Sequence, residues 1–223
     1  MKILFIGNSA TYVHEVPKML ERLARGAGCE IETDMVVKGG FRLSQHAAGS
    51  PAREKIALEE MQRGYDLVIL QEVGNCFATE ETRTETSAAV EVLHKAIQKS
   101  GAKTVFYVRP PYGRDLEGFD ALSQCKELDK LFVGLSQKLG TDCVFVNRAF
   151  AAAMPIYGRE LWGEDNAHTS PLGAYLSACT FFASLFDRSA TCLETEGLPD
   201  ADAKALQELA DRVAKNGLIP WKE

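Results

Sequence analysis

The sequence predicts a doubly wound α/β domain, and three observations carry that prediction. Five short apolar runs recur along the chain, at residues 3–6, 31–37, 67–70, 104–108 and 143–146. Most are near-continuous and rich in β-branched or aromatic residues, as strands buried on both faces of a parallel sheet are. Longer segments with helical spacing separate them, and such alternation marks a parallel sheet covered by helices. The 223 residues suffice for one domain spanning 1–223, with no repeat, low-complexity tract or linker to divide it.

In chain order, the run at 3–6 (Ile-Leu-Phe-Ile) is the first strand. Residues 16–25 follow as a helix, with Leu20, Leu23 and Ala24 on one face and Gly26 and Gly28 as its stop. The second strand, 31–37, is interrupted by Glu32 and Asp34, which suits a sheet edge. A short helix is expected at 54–62. After the third strand, 85–100 carries Val90, Leu93 and Ile97 at helical spacing and ends at Gly101. After the fourth, 121–139 carries Leu128, Leu131, Phe132 and Leu135 and ends at Gly140. Beyond the fifth strand, 149–157 reads as apolar but irregular and 158–168 as a polar loop. Ser170-Pro171 is a helix start, with Ser as N-cap and Pro at the first helical position, opening an apolar helix over 172–186. Pro199-Asp200 forms a turn, and 201–214 is a last amphipathic helix with Leu206, Leu209 and Val213.

With 46% hydrophobic and 25% charged residues, the composition is that of a globular protein rather than a disordered chain. A net charge of −6 without a basic stripe argues against a nucleic-acid partner, whose phosphates need Lys and Arg. The six cysteines (29, 76, 125, 143, 179 and 192) form no C-x-x-C pair, so they read as reduced packing residues and no metal site is expected. No stretch approaches a membrane span, and the run at 3–6 is too short for a signal peptide, so a cytoplasmic location is expected. The oligomeric state stays open.

In open parallel sheets, sites form beyond the carboxyl ends of the strands. Those ends carry Gly7-Asn8-Ser9, Gly39-Gly40, Gln71-Glu72-Val73-Gly74-Asn75 and Arg109-Pro110-Pro111-Tyr112, with Asp165 and His168 just before a late helix. A serine, a histidine with a nearby carboxylate, a glycine pair and side-chain amides are the parts for acyl transfer. Serine needs an imidazole to take its proton, and the imidazole needs a carboxylate to hold its tautomer. The oxyanion needs preorganised donors, each lowering the barrier by about 3 kcal/mol.

These blocks resemble the SGNH hydrolase (GDSL-like) superfamily. The resemblance rests on Gly7-Asn8-Ser9 after the first strand, Gly40 after the second, Leu70-Gln71-Glu72-Val73-Gly74-Asn75 after the third, and Asp165-Asn166-Ala167-His168 near the end. The string from Asp165 to Phe182, with His168, Ser170, Gly173, Tyr175 and Leu176, is similar to an uncharacterised bacterial branch with a Gly-Asn-Ser first block. The resemblance implies a three-layer flavodoxin-like fold around a five-stranded parallel sheet. It also implies esterase, deacetylase or thioesterase chemistry without a cofactor, with a small-molecule ester as the partner. Carried over, Ser9 is nucleophile and backbone oxyanion donor, Asp165 and His168 complete the triad, and Gly40 and Asn75 are further donors. The third block departs from the family pattern, with Val73 where a glycine is usual and Cys76 in place of an aspartate. Gln71, directly at the strand end, is therefore a rival to Asn75.

Asn8, Glu72, Arg109 and Trp162 are substrate-binding candidates, each with a plainer alternative. Asn8 stands where the superfamily often has aspartate. Glu72 tunes the site or hydrogen-bonds its loop. Arg109 binds a substrate carboxylate or caps a loop, and Trp162 is a platform or packing under the catalytic loop. His14, His46 and His94 have no partner spacing and read as surface or capping residues. The G-x-S-x-G elbow of the α/β-hydrolases is absent. Two other functions compete. In a flavodoxin-like binding module, Ser9-Ala10-Thr11 would cradle a flavin phosphate, which leaves Asp165 and His168 unexplained. In an inactive SGNH scaffold, the same cleft would bind acylated ligands.

Overall fold

Each of the five apolar runs forms a strand in the computed structural model, which describes residues 1–221. The strands are β1 (Lys2–Gly7), β2 (Glu32–Val37), β3 (Leu67–Leu70), β4 (Lys103–Val108) and β5 (Asp142–Phe145). All pair in parallel, in the order β2-β1-β3-β4-β5. This is the flavodoxin-like order, and it puts the interrupted second strand at an edge. Ile3 and Phe5 point to one face with Ile69, Val105, Tyr107 and Val144; Leu4 and Ile6 point to the other with Val68, Leu70, Phe106 and Val108. Both faces are covered, which is why the strands read as continuous apolar runs rather than alternating ones.

On the first face lie α2 (Val16–Gly26), α7 (Val146–Tyr157), α8 (Pro171–Phe186) and α9 (Asp200–Ala214). On the second lie α3 (Leu43–Ala47), α4 (Ala57–Glu60), α5 (Glu80–Ser100) and α6 (Ala121–Leu139). A single turn, α1 (Ser9–Tyr12), follows β1. The α8 helix packs against α2, α7 and α9, so it is apolar all round. Its start is the one the sequence predicts: Ser170 Oγ accepts from the Gly173 N–H at 3.2 Å, and Pro171 is the first helical residue.

Three expectations are corrected. Residues 149–157 are not irregular but belong to α7, which leaves β5 without a loop, so Val146 opens a helix rather than closing a strand. Most of α7 is buried, so it lacks the polar stripe that periodicity detects, and Pro155 stands in its last turns. The helix expected at 54–62 shrinks to α4 and a 3-10 turn over Met61–Arg63. The α5 helix starts five residues earlier than expected, because Thr79 caps it by accepting from the Thr82 N–H. No helix among the described residues is long and apolar enough to cross a membrane.

Candidate active site

The carboxyl ends of β1, β2, β3 and β4 meet at one side of the sheet, where strand order reverses between β1 and β3. The turn after β1 is fastened from three sides. Gln71, just past β3, accepts with Oε1 from the Asn8 N–H and the Thr11 hydroxyl, each at 2.9 Å. Its amide nitrogen donates to the Glu72 carbonyl. A Cβ at Gly7 would lie 2.5 Å from Gln71 Oε1, 2.9 Å from Thr11 Oγ1 and 3.0 Å from Gln71 Cβ, so these side chains would have to give way to it. From α3, His46 Nε2–H donates to the Gly7 carbonyl at 3.0 Å. Asn8 caps α1 by accepting from the Ala10 N–H at 3.1 Å, and its Nδ2 donates to the Phe41 carbonyl at 3.0 Å, tying this turn to the loop after β2.

Ser9 sits half-buried on this turn. Among the described residues, neither its backbone N–H nor that of Gly40 has an acceptor within the protein. Gly40 has φ of 71°, the left-handed region that favours glycine, while a Cβ there would meet nothing within 4 Å. Backbone conformation therefore explains this glycine without invoking close packing.

The loop 162–169 is a tight, closed unit. Trp162 and Thr169 bridge its ends, the Gly163 N–H donates to the His168 carbonyl at 2.9 Å, and the Gly113 N–H donates to the Asn166 carbonyl at 2.9 Å. Asp165 Oδ1 accepts from the N–H groups of Ala167 (2.9 Å) and His168 (3.0 Å), while Oδ2 faces His168 Nδ1 at 2.6 Å. The His168 backbone N–H, then the Ala167 N–H, then the imidazole hold the Asp165 carboxyl well below the usual carboxylate range. An ionised Asp165 keeps the imidazole proton on Nδ1 and leaves Nε2 as a lone pair, the tautomer a general base needs.

Ser9, Asn8, Gly40, Arg109 and His168 line one small cleft of about 160 Å³, with Val73, Tyr112 and Ala167. Asp165 stands behind His168. The other candidates lie elsewhere. Asn75 is turned toward Arg42, whose Nη2 donates to its Oδ1 at 3.1 Å. Gln71 spends its Oε1 on the β1 turn and its amide nitrogen on the Glu72 carbonyl. Glu72 is 2% exposed, and its carboxylate accepts from the Leu43 and Val73 N–H groups, so it holds the loops together. Burial pushes its pKa up to about 7 against the pull of those donors. Trp162 is buried against Phe150 and Gly113 and donates its indole N–H to the Pro111 carbonyl at 2.9 Å, anchoring the Asp165–His168 loop from beneath. A larger depression of about 650 Å³ opens by the amino-terminal ends of β3, β4 and β5, and no histidine lines it.

Two of the histidines depart from expectation. His46 is fully buried, and burial lowers its pKa, so it is a neutral strut rather than a surface group. His94 is also buried, with Nδ1 2.9 Å from Thr104 Oγ1. His14 is exposed, as expected. Tyr112 and Arg114, not among the candidates above, also line the cleft; an aromatic residue close after a strand-end arginine is the signal for Tyr112. Cys76 is fully buried and burial pushes its thiol up, which makes it inert.

The sequence matches no family model and no curated protein. Solved structures do resemble it. A DUF4886 family protein from Bacteroides uniformis superposes with a TM-score of 0.82 at 18% identity, covering 96% of this chain and 94% of its own. A candidate SGNH hydrolase from Slackia heliotrinireducens has a TM-score of 0.69 at 25% identity, over 83% and 98% of the two chains. The acetylxylan esterase Axe2 from Geobacillus stearothermophilus has a TM-score of 0.61 at 16% identity, over 81% and 91%. The fold is the α/β fold of the SGNH hydrolases.

Proposed function

We propose that the protein is a serine ester hydrolase that removes a small acyl group, such as an O-acetyl ester on a carbohydrate, through Ser9, His168 and Asp165. One observation carries the reading: the His168 imidazole, held in its basic tautomer by an ionised Asp165, shares a cleft with Ser9. In this mechanism Ser9 Oγ attacks the ester carbonyl as His168 Nε2 takes its proton. The backbone N–H groups of Ser9 and Gly40, which have no acceptor among the described residues, donate to the oxyanion. His168 then protonates the leaving alcohol, and water, activated by the same imidazole, releases the acid from the acyl-enzyme. The cleft volume of about 160 Å³ favours short acyl chains. The acetylxylan activity of the Geobacillus enzyme lends analogy for an acetyl ester, at fold level. The flavin-phosphate reading draws no support, since Thr11 is buried and its hydroxyl is spent on Gln71.

The test is hydrolysis of p-nitrophenyl acetate, butyrate and octanoate by wild type and Ser9→Ala. The proposal expects wild-type turnover that falls with chain length and drops by roughly 10³-fold or more in Ser9→Ala. Equal rates in the two proteins would refute it.

A further inference from the structure

Arg109 follows β4 and is only 4% exposed, yet among the described residues no carboxylate pairs with it. Its polar contacts are thin. The guanidinium lies over the Tyr112 ring, 4.4 Å from the centroid, and Nη2 reaches the Ala167 carbonyl only at 3.5 Å. Its Nε is buried without an acceptor among the described residues. Elsewhere the protein pairs a buried arginine fully, as Arg148 does with both oxygens of Asp129. A buried charge without a counter-charge is costly, so such a group is retained where something else supplies the partner.

The surroundings point the same way. Arg114, exposed at the rim, lies over the same Tyr112 ring at 5.4 Å and makes no ion pair among the described residues. None of the cleft-lining residues is acidic. The nearby Asp165 carboxylate is engaged by two N–H groups and the imidazole. The cleft that holds Ser9 therefore presents two guanidiniums with no carboxylate lining it.

We infer that the substrate carries a carboxylate close to its scissile ester, and that this carboxylate docks on Arg109, with Arg114 closing over it at the rim. The planar guanidinium fork matches a carboxylate in two parallel hydrogen bonds. The reaction rests on the ester-hydrolase reading, whereas the anion site rests on Arg109 alone. The carboxylate sits either on the acyl group or on the leaving alcohol.

Two readouts test this. The first needs no turnover: succinate binding by calorimetry to Ser9→Ala and to Ser9→Ala/Arg109→Met. Binding that weakens roughly tenfold or more without Arg109 supports the site. Undetectable binding, or binding indifferent to Arg109, overturns it. The second compares kcat/KM within matched esters: monoethyl succinate against ethyl pentanoate for the acyl side, and 4-acetoxybenzoate against its methyl ester for the leaving-group side. Wild type should prefer the anionic member of one pair by roughly tenfold or more, and Arg109→Met should bring that ratio near unity. Arg114→Gln, at an exposed position that folding tolerates, should lower the ratio by about threefold. Hydrolysis without preference in either pair overturns the inference. No hydrolysis of any of the four esters, with succinate binding still dependent on Arg109, refutes the hydrolase reading and supports the anion site.

Discussion

Glu72→Gln should change how stability depends on pH. Glu72 is buried beneath the loops after β2 and β3, and its pKa rises from the ordinary 4.5 to about 7 because burial outweighs the Leu43 and Val73 N–H donors. The folded state therefore keeps a proton that the unfolded chain releases between those values. The contribution is full below pH 4.5 and is lost as pH rises through 7, the reverse of an ion-paired carboxylate. A rise from 4.5 to about 7 corresponds to about 3 kcal/mol across the window. His46 works in the opposite direction. Burial lowers its pKa, so its stabilisation is lost as pH falls below the unfolded value of 6.5. Wild type should thus be flatter with pH than either group alone would make it. Glutamine keeps the size and one acceptor but cannot titrate. Urea unfolding followed by circular dichroism at pH 5, 6, 7 and 8 gives the difference between the two proteins. Glu72→Gln should be the weaker protein at pH 5, and the gap should shift in its favour by about 2–3 kcal/mol by pH 8. A gap constant within about 0.5 kcal/mol would refute the argument, because it would mean that Glu72 is ionised throughout.

Other perturbations bear on the site directly. In Gly7→Ala, the new Cβ would meet Gln71 Oε1 at 2.5 Å, so the β1 turn must shift; the loss should be about 2 kcal/mol, read as a lower Tm, and an unchanged Tm would contradict the packing described. His168→Ala should lower p-nitrophenyl acetate turnover by roughly 10³-fold or more without changing the circular dichroism spectrum. Asp165→Asn should leave measurable residual activity, because the orienting group matters less absolutely than the base it orients. Full activity in His168→Ala would remove the proposed base.

Some of this architecture is readable from residue order alone. The strands are legible because both sheet faces are covered, so residues 3–6 or 67–70 have no polar partner positions to obscure them. The start of α8 is legible because Ser170 and Pro171 act locally, on the first turn of their own helix. Long-range side-chain bonds are not legible in this way. Nothing near His46 in sequence says that its imidazole reaches Gly7, 39 residues away, from a helix of only five residues. Asn75 sits where the resemblance wants a donor, but it does not line the cleft, and its Oδ1 accepts from a guanidinium of another loop. Trp162 looked equally suited to substrate or packing, and only the partner of its indole N–H, 51 residues back, separates the two. Motif order aligned the parts, while the cross-loop hydrogen bonds decide which of them face the cleft.

The central claim is that Ser9 is a covalent nucleophile. Incubation with diethyl p-nitrophenyl phosphate, followed by intact-mass and peptide mapping, tests it most directly. The account predicts one diethylphosphoryl group on Ser9, loss of esterase activity in step with labelling, and no adduct in Ser9→Ala. A label on another residue that tracks the loss of activity, or full labelling of Ser9→Ala, would contradict it.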